Sequence, residues 1–206
     1  MLQIKTIEPR TFTVLKKLME ITELADFLLV GGTALTLYYG HRLSIDIDLF
    51  STSDFDNEAI TNVLENNFDN FSFRKNSLGV FAYIDNVKVD FVKHHYHPLL
   101  SKPLHTQNIR LLSAKDIIAM KINAILKRAV KKDFWDIAEL LKHYSIEDFI
   151  SFYENKYPSQ QLLISIPQAI IYFDDAEEGP DPISLKGQTW QSVKKVIQQK
   201  VSEFLR

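Results

Sequence analysis

The sequence of 206 residues contains no cysteine, which excludes a disulfide framework and thiolate metal sites. It also lacks a run of about 20 apolar residues, the length that a membrane-spanning helix requires. The N-terminal segment MLQIKTIEPR has none of the apolar core of a signal peptide. We therefore expect a cytoplasmic protein that makes no membrane contact.

A strong net charge is also missing. The formal charge is -2 at pH 7 and the sequence pI is about 6.3, so the chain as a whole gives no sign of wrapping a polyanion. Any nucleic-acid contact must come from a local basic face. Hydrophobic residues make up 46% and charged residues 24%, which is ordinary for a soluble globular protein. The length suffices for one core, or for a core lobe with a smaller helical lobe.

Hydrophobic periodicity divides the chain into two different halves. Residues 1–112 alternate between predicted strands and helices, whereas residues 113–206 have the apolar spacing of helices. We therefore predict an α/β core followed by a helical C-terminal lobe. The predicted strands are 27–30, a second strand that ends at 48, 71–74, 80–84, 87–92 and 109–112. The predicted helices are 9–24, 33–39, one capped by Asp54 or Asp56, one opened by Ser113 that reaches about 130, one capped by Asp133 that ends near 143, and then 146–157, 160–166 and 189–205.

The most informative stretch is residues 27–50. An apolar strand is followed by Gly31, Gly32 and Thr33 and then by a short helix that Gly40 closes. Glycines let a backbone approach a phosphate closely, and the N–H groups that open a helix attract negative charge. Thr33 adds a hydroxyl donor. These residues predict a phosphate-binding turn. The alternative is that two glycines simply suit a turn between strand and helix.

Two acidic residues, Asp46 and Asp48, follow within the same stretch. Residues two apart on a strand project from one face, and carboxylates held this close repel each other unless a divalent cation lies between them. Mg²⁺ is the natural ion because it binds a few carboxylates together with phosphate oxygens. The alternative is an exposed pair of acids at a strand end.

A third carboxylate occurs in the segment KVDFV. Strand alternation turns Lys88 and Asp90 to one face, away from the apolar residues beside them. A carboxylate in such an apolar run is costly unless it is paired or bound to metal. Together with Asp46 and Asp48 on a neighbouring strand, Asp90 would complete a site for two metal ions.

A lysine lies among apolar residues in the first helix of the second half. On a helical wheel Lys121 falls between Ile117 and Ile125, away from a polar side marked by Asp116, and Arg128 falls beside it. Either both basic side chains extend past the core to water, or they reach a cleft and hold a triphosphate.

Three further features have simpler interpretations. Asp133 can cap a helix, and Asp136 can be a first-turn acid that the helix dipole favours. The histidines of residues 94–105 fit no standard zinc site, so we expect a loop beside the cleft. The acidic stretch 174–182 is expected to be a solvated surface loop.

These segments resemble the AbiEii/AbiGii toxin family of nucleotidyltransferases, within the DNA polymerase beta-like superfamily. The resemblance is carried by GGTALTLYYGHRLSIDIDLF, by KVDF and by SAKDIIAMKINAILKRAVKKDFWDIAEL, and it covers about residues 25–142. It implies a polymerase-beta-like core with a mixed sheet, in which the glycine-hydroxyl turn and the D-x-D motif form the nucleotide and metal site.

The resemblance also implies roles for single residues. Asp46, Asp48 and Asp90 would hold two Mg²⁺ ions, with Mn²⁺ as an alternative ion. Asp136 would be a base or a positioning group and, with Lys121, would complete the catalytic set. The nucleotide-binding residues would be Gly31, Gly32, Thr33, Arg42, Lys121, Arg128 and Lys132. Thr33 stands where many of these enzymes have Ser, and Lys132 where relatives often have Arg.

The predicted function is transfer of a nucleoside monophosphate from an NTP to an acceptor, with release of pyrophosphate. The resemblance implies a toxin with a separate antitoxin, and RNA, at the tRNA 3′ end, as the acceptor. Two alternatives stay open. One is the same chemistry on a small molecule or a protein, and the other is a non-catalytic nucleotide-binding module, which would not need three carboxylates.

Overall fold

A computed structural model describes residues 1–206. One mixed sheet of seven strands forms its centre, in the order β3-β4-β5-β2-β1-β7-β6. The pairs β2/β5 and β1/β7 are parallel, and the other neighbours are antiparallel. The mixed sheet that the sequence predicts is therefore confirmed. The strands are β1 Phe27–Leu29, β2 Ile47–Ser51, β3 Phe71–Asn76, β4 Gly79–Ile84, β5 Val87–Lys93, β6 Leu104–Thr106 and β7 Ile109–Leu111.

Eight α-helices accompany the sheet, most of them in the second half of the chain. Several begin at side-chain caps, as at Asp56, Ser113 and Thr189, whose oxygens accept backbone N–H groups of the first turn. Gly40 ends the second helix in the left-handed conformation, as expected. The helices are α1 Pro9–Glu20, α2 Gly31–Tyr39, α3 Asn57–Asn67, α4 Ala114–Arg128, α5 Lys131–Leu140, α6 Ile146–Lys156, α7 Ile166–Ile170 and α8 Trp190–Phe204.

Four predicted boundaries are wrong. Strand β2 does not end at Asp48 but begins at Ile47, so the acidic pair lies at its entrance. Helix α2 starts at Gly31, which leaves no separate glycine turn. Helix α5 starts at Lys131, so Asp133 lies inside its first turn instead of capping it. Pro167 does not end a helix; it lies at the start of α7, where its missing N–H costs nothing.

Strand β6 is an element that the sequence analysis leaves in a loop. It pairs with β7 through a two-residue turn in which Gln107 and Asn108 have φ of 52° and 60°. The hairpin between β4 and β5 has the same form, with φ of 50° at Asp85 and 64° at Asn86. Two positive φ values are the mark of the turn that matches the twist of antiparallel strands.

A single apolar core runs through both halves of the chain. Its 55 buried residues include Phe91 in the sheet, Ile122 in α4 and Trp190 in α8. The change from mixed sheet to helices falls at Ser113, as expected, but the two halves share this core. The assignment of 1–112 and 113–206 as separate domains stays a prediction. None of the helices combines the length and the apolar character needed to cross a bilayer.

Candidate active site

Two carboxylates lie side by side on the open face of the sheet. Asp48 of β2 is in register with Asp90 of β5 in the parallel pair. Alternation along β2 turns Ile47 and Leu49, the residues on either side of Asp48, into the core, where both are buried. Asp46 lies just before β2 and lines the same cavity as the other two acids, a cleft of about 540 Å³. The predicted common face of Asp46 and Asp48 is thus confirmed.

The three carboxylates differ in their surroundings. Asp46 accepts from the Lys132 ammonium at 3.3 Å, and Asp90 Oδ2 accepts from the Lys88 ammonium at 2.7 Å. The second oxygen of Asp90, Oδ1, is buried and has no hydrogen-bond partner. Asp48 forms no ion pair, and burial, with the negative Asp90 beside it, raises the pKa of its carboxyl.

A divalent ion fits this arrangement only together with a substrate. No group of three or more acidic or histidine side chains is arranged to hold a metal by itself. Mg²⁺, however, is commonly bound by one or two carboxylates and by substrate phosphates. The unpaired Asp90 Oδ1 and the unpaired Asp48 are suitable ligands for such an ion, and a triphosphate would supply the remaining oxygens.

The two glycines make room for side chains of the site. Gly31 has φ of +67°, and a Cβ there would collide with the Asp48 carboxylate. A Cβ on Gly32 would collide with the Arg42 guanidinium. No side chain caps the N-terminus of α2, and Gly32 of its first turn lines the cleft. A helix N-terminus of this kind favours an anion.

Thr33, the predicted phosphate donor, forms hydrogen bonds with other protein groups in this structure. Its side chain is buried, and its hydroxyl forms hydrogen bonds with the Ser44 hydroxyl at 2.7 Å and with the backbone carbonyl of Asp46. It lines neither the cleft nor the cavity that shares Asp48 and Asp90 with it. Thr33 therefore ties α2 to the segment that carries Asp46.

A buried ionic network lies behind the carboxylates, with Asp136 at its centre. Asp136 accepts from Arg42 Nε at 2.7 Å and from Arg42 Nη2 at 2.9 Å. Its other neighbours are His41 Nε2 at 2.7 Å and Lys121 Nζ at 2.6 Å. Burial alone would raise the pKa of Asp136, but Arg42 and Lys121 hold that pKa well below its usual range.

Lys121 does not extend to water. Its side chain is only 7% exposed, and its ammonium pairs with both Asp133 and Asp136. These two acids outweigh the effect of burial and raise the lysine pKa. Arg128 is 60% exposed and lies 3.5 Å from Asp133. Both basic residues line the cleft, which favours the second interpretation of the sequence pattern, although the Lys121 charge is already neutralised.

A second cavity of about 410 Å³ lies on the other side of the same residues. It shares Asp48, Asp90, Lys121 and Arg128 with the first cavity. His94 and His97, from the loop that is predicted to lie beside the cleft, line this second cavity. Burial lowers the pKa of His94 to about 3, so this imidazole is neutral at pH 7.

Two parts of the site are not apparent from the sequence pattern, and a third could be found from it. The acidic stretch does not simply face solvent: Asp175 and Asp181 line the first cavity, and Asp181 pairs with Lys131 at 2.8 Å. His41 has no motif that marks it as a partner of Asp136. Lys88 is a partner of Asp90, and here a signal exists, since strand alternation turns both side chains to one face.

Comparison with known proteins adds independent information. The model of a family described as nucleotidyl transferase AbiEii toxin, type IV TA system, matches residues 13–78 and 81–195. An uncharacterized protein of Aquifex aeolicus, aq_aa25, is 32% identical over 199 residues, which cover 93% of this chain and 94% of that protein.

Two solved structures have the same fold. A putative nucleotidyltransferase from H. pylori gives a TM-score of 0.57 at 17% identity and covers 97% of this chain and 99% of that chain. MenT4, a nucleotidyltransferase toxin from Mycobacterium tuberculosis H37Rv, gives a TM-score of 0.58 at 13% identity and covers 94% of this chain and 82% of that chain. Both likenesses show a nucleotidyltransferase fold.

Proposed function

The chain belongs to the AbiEii family of nucleotidyltransferase toxins from type IV toxin–antitoxin systems, and on this premise we propose that it moves a nucleoside monophosphate from an NTP to RNA. The family makes the protein a nucleotidyltransferase with an NTP substrate and an antitoxin partner. The RNA acceptor, with the tRNA 3′ end as the candidate position, and the dependence on a divalent metal are the proposed part.

The observation that carries this proposal is the pair Asp48 and Asp90. They are adjacent on parallel strands and line both of the large cavities. A reaction that joins two substrates at one phosphorus atom needs such a meeting point. A protein that only binds nucleotide has no need to keep a costly pair of half-buried carboxylates together.

The triphosphate is assigned to the first cavity, because basic groups and the N-terminus of α2 line it. Arg128, Lys131 and Lys132 surround the cavity, and Gly32 brings the uncapped helix end to its wall. Lys132 is 46% exposed and now pairs with Asp46. Since that pair is long and solvent-exposed, Lys132 is free to turn to a phosphate.

Asp46, Asp48 and Asp90 would hold two Mg²⁺ ions, or Mn²⁺ in their place, together with oxygens of the triphosphate. Such ions, when bound, neutralise phosphate charge and make the attacking hydroxyl more acidic. In the structure Lys88 pairs with Asp90 and Lys132 pairs with Asp46, and binding of the ions would require both ammonium groups to move away from those carboxylates.

In the proposed reaction a ribose hydroxyl oxygen of the acceptor attacks the α-phosphorus of the NTP. The bond from that phosphorus to the oxygen of the β-phosphate breaks, and pyrophosphate leaves with the electron pair. The hydroxyl proton leaves to water in the open cleft, since Asp90 Oδ1, which has no hydrogen-bond partner, would serve as a metal ligand in this arrangement. The products are a lengthened or capped RNA and pyrophosphate.

Asp136 acts as a positioning residue and not as the base. Both of its oxygens are occupied by basic groups and its side chain is fully buried, so it has no free lone pair to offer a substrate. Its proposed task is to fix Arg42 and Lys121 behind the cleft. Arg42 in turn packs against Gly32, which sets the N-terminus of α2.

The test is transfer of label from NTPs labelled at the α-phosphate, incubated with the enzyme, Mg²⁺ and total RNA. Label in RNA supports the proposal, and Asp48→Ala should abolish it while leaving the circular dichroism spectrum unchanged. Label in protein or in a small molecule would mean the same chemistry on another acceptor. Bound NTP without any transfer would mean a nucleotide-binding module.

A further inference from the structure

A bare part of the sheet face adjoins the catalytic carboxylates. Strand register fixes which side chains share it: Asp48 is beside Asp90, Asp90 is opposite Phe81, and Phe81 is opposite Arg74. Directly paired residues project from the same face of a sheet. The row therefore runs without a break from the carboxylates to the edge strand β3.

A second row lies beside the first. Lys88 is opposite Tyr83, and Tyr83 is opposite Ser72. Tyr83 is 55% exposed, although the neighbouring residues Ala82 and Ile84 are buried on the reverse side of the strand. A shallow cavity of about 300 Å³ occupies this face, and Asp90 lines it as well as the two larger cavities.

The chemistry of the face combines flat rings with positive charge. The Arg74 guanidinium lies 5.1 Å from the centre of the Phe81 ring, which holds a cation over an aromatic platform. Lys88 is 41% exposed and lies between Tyr83 and the carboxylates. No acidic side chain other than Asp90 lines the shallow cavity. An exposed tyrosine ring and a half-buried phenylalanine ring, with basic groups beside them, suit unpaired bases on a phosphate backbone.

From these rows we infer that the face formed by Arg74, Phe81, Tyr83 and Lys88 is the acceptor platform, on which single-stranded RNA stacks its last bases before the hydroxyl reaches Asp90. The inference rests on the proposed function for the identity of the acceptor. A flat stacking platform selects unpaired ends over duplex, since only unstacked bases offer their faces. It is also tolerant of sequence, because every base has a face that stacks on an aromatic ring.

Binding and transfer are measured separately with the full-length enzyme. Binding is followed by fluorescence anisotropy of a labelled single-stranded RNA of about 10 nucleotides, within the span of known single-strand sites, without NTP. Tyr83→Ala and Arg74→Ala should each weaken binding about ten-fold, the loss expected for one stacked base or one cation. Tyr83→Phe keeps the ring and should bind like the wild type.

The strand offers a matched control for charge. Lys75 follows Arg74 but points to the other face, where it pairs with Glu58, so Lys75→Ala should not change binding. Tyr172→Ala removes an exposed tyrosine of the helical half and should likewise have no effect. Thermal melts of all variants exclude unfolding as the cause.

The outcomes separate this inference from the proposed function. If the wild type transfers label to RNA and Tyr83→Ala and Arg74→Ala bind and transfer equally well, the platform is wrong and the function stands. If RNA binding depends on Tyr83 and Arg74 but no label is ever transferred, the platform stands and the function fails. If the wild type does not bind the RNA, the platform is overturned and this face is left for a protein partner.

Discussion

Asp48 is the carboxylate of the site that no basic side chain neutralises. Burial and the adjacent Asp90 raise its pKa, so the charged form of Asp48 opposes folding. Because the folded pKa is raised, this cost is absent below the ordinary value of about 3.9 and grows as the pH rises through the raised value. The site thus holds a negative charge that is unfavourable for folding, and a bound metal ion would reduce this cost.

We therefore expect Asp48→Asn to be inactive and yet more stable. Without metal and NTP at pH 7, the free energy of unfolding should rise by about 0.5–2 kcal/mol, a usual gain when an unfavourable group is removed. Transfer should fall by about 1,000-fold or more, since a metal ligand supplies several kcal/mol to the transition state. Urea denaturation at pH 7 and at pH 3 measures the first effect, which should vanish at the lower pH.

The exposed Asp26 supplies the control for this replacement. Asp26→Asn should alter stability by less than about 0.5 kcal/mol and leave transfer unchanged. A loss of stability in Asp48→Asn at pH 7 would contradict the view that this carboxylate is an unfavourable charge in the empty site.

Asp136, unlike Asp48, is surrounded by basic side chains that stabilise its charged form. Asp136→Asn leaves Arg42 and Lys121 buried beside a neutral amide, and the loss of one partner in a buried network costs about 3–5 kcal/mol. Glu203→Gln, in the exposed pair with Lys200, is the control and should cost at most about 1 kcal/mol. Equal losses of stability in both variants would mean that the buried Asp136 network stabilises the fold no more than an exposed ion pair does.

The pH dependence of this variant follows from the lowered pKa of Asp136. A lowered folded pKa gives stability that is present above the ordinary value of about 3.9 and is lost as the pH falls through the lowered one. The deficit of Asp136→Asn relative to the wild type should therefore stay constant from about pH 8 to pH 5. It should shrink only in strong acid.

At the scale of single residues, short-range sequence patterns were sufficient to predict the carboxylates of the site but not the ionic network behind them. Alternation along a strand puts Asp46 and Asp48 on one face, and Lys88 with Asp90 on another strand, without any knowledge of the fold. Two partners of Asp136, by contrast, Arg42 and His41, are 94 and 95 residues away in the chain, and no periodicity marks such pairs. Asp116 shows the same limit: it marks a polar side on the helical wheel, but it is buried and paired with Lys156 at 2.7 Å.

At the scale of elements, the junction of α4 and α5 carries local strain. Ala129 ends α4 with φ of 36° in the left-handed region, which costs an L-residue roughly 1–2 kcal/mol. Arg128, Lys131 and Lys132 of the cleft lie on either side of this residue. The sharp turn at Ala129 thus brings three basic side chains to one wall.

We expect Ala129→Gly to raise the free energy of unfolding by about 0.5–1 kcal/mol, because glycine adopts this conformation without strain. Ala138→Gly, in the middle of α5, should lower it by about 1 kcal/mol or more, since glycine is a poor helix former there. Thermal melts of both variants measure these two changes in stability. A decrease in Ala129→Gly would mean that the conformation of this junction is not strained.

The predicted elements were most accurate where a cap or turn is encoded locally. Asp56, Ser113 and Thr189 mark helix starts that the structure confirms. Pro167 was misjudged because proline is compatible with both the first turn of a helix and the residue after one, and only the flanking chain decides between them. Strand β6 was missed because its three residues, Leu104–Thr106, are largely exposed and show no apolar alternation.

At the scale of the whole molecule, one core holds the sheet and the helices together and the cleft opens between them. Asp90 lines all three of these cavities, so in the proposed reaction nucleotide and acceptor would meet at a single carboxylate. This convergence could not be read from the sequence, since it depends on β2 and β5 being parallel neighbours although 35 or more residues separate them.

The net charge of -2 sets the expected character of RNA binding. With only a few basic side chains near the acceptor face, two to four phosphates would be contacted, which gives a slope of log Kobs against log salt concentration of about -1.5 to -3 for a single strand. Anisotropy titrations at several salt concentrations measure this slope. A slope of about -7 would contradict a small acceptor platform and indicate a chain that wraps the polyanion.

The most direct test of nucleotidyl transfer at Asp48 and Asp90 compares two positions of the label. The enzyme, Mg²⁺ and RNA are incubated in parallel with an NTP labelled at the α-phosphate and with one labelled at the γ-phosphate, for the wild type and for Asp48→Asn. The account predicts that only the α-label enters RNA, that the γ-label is recovered in pyrophosphate, and that Asp48→Asn gives neither product. Entry of the γ-label into RNA, or undiminished transfer by Asp48→Asn, would contradict it.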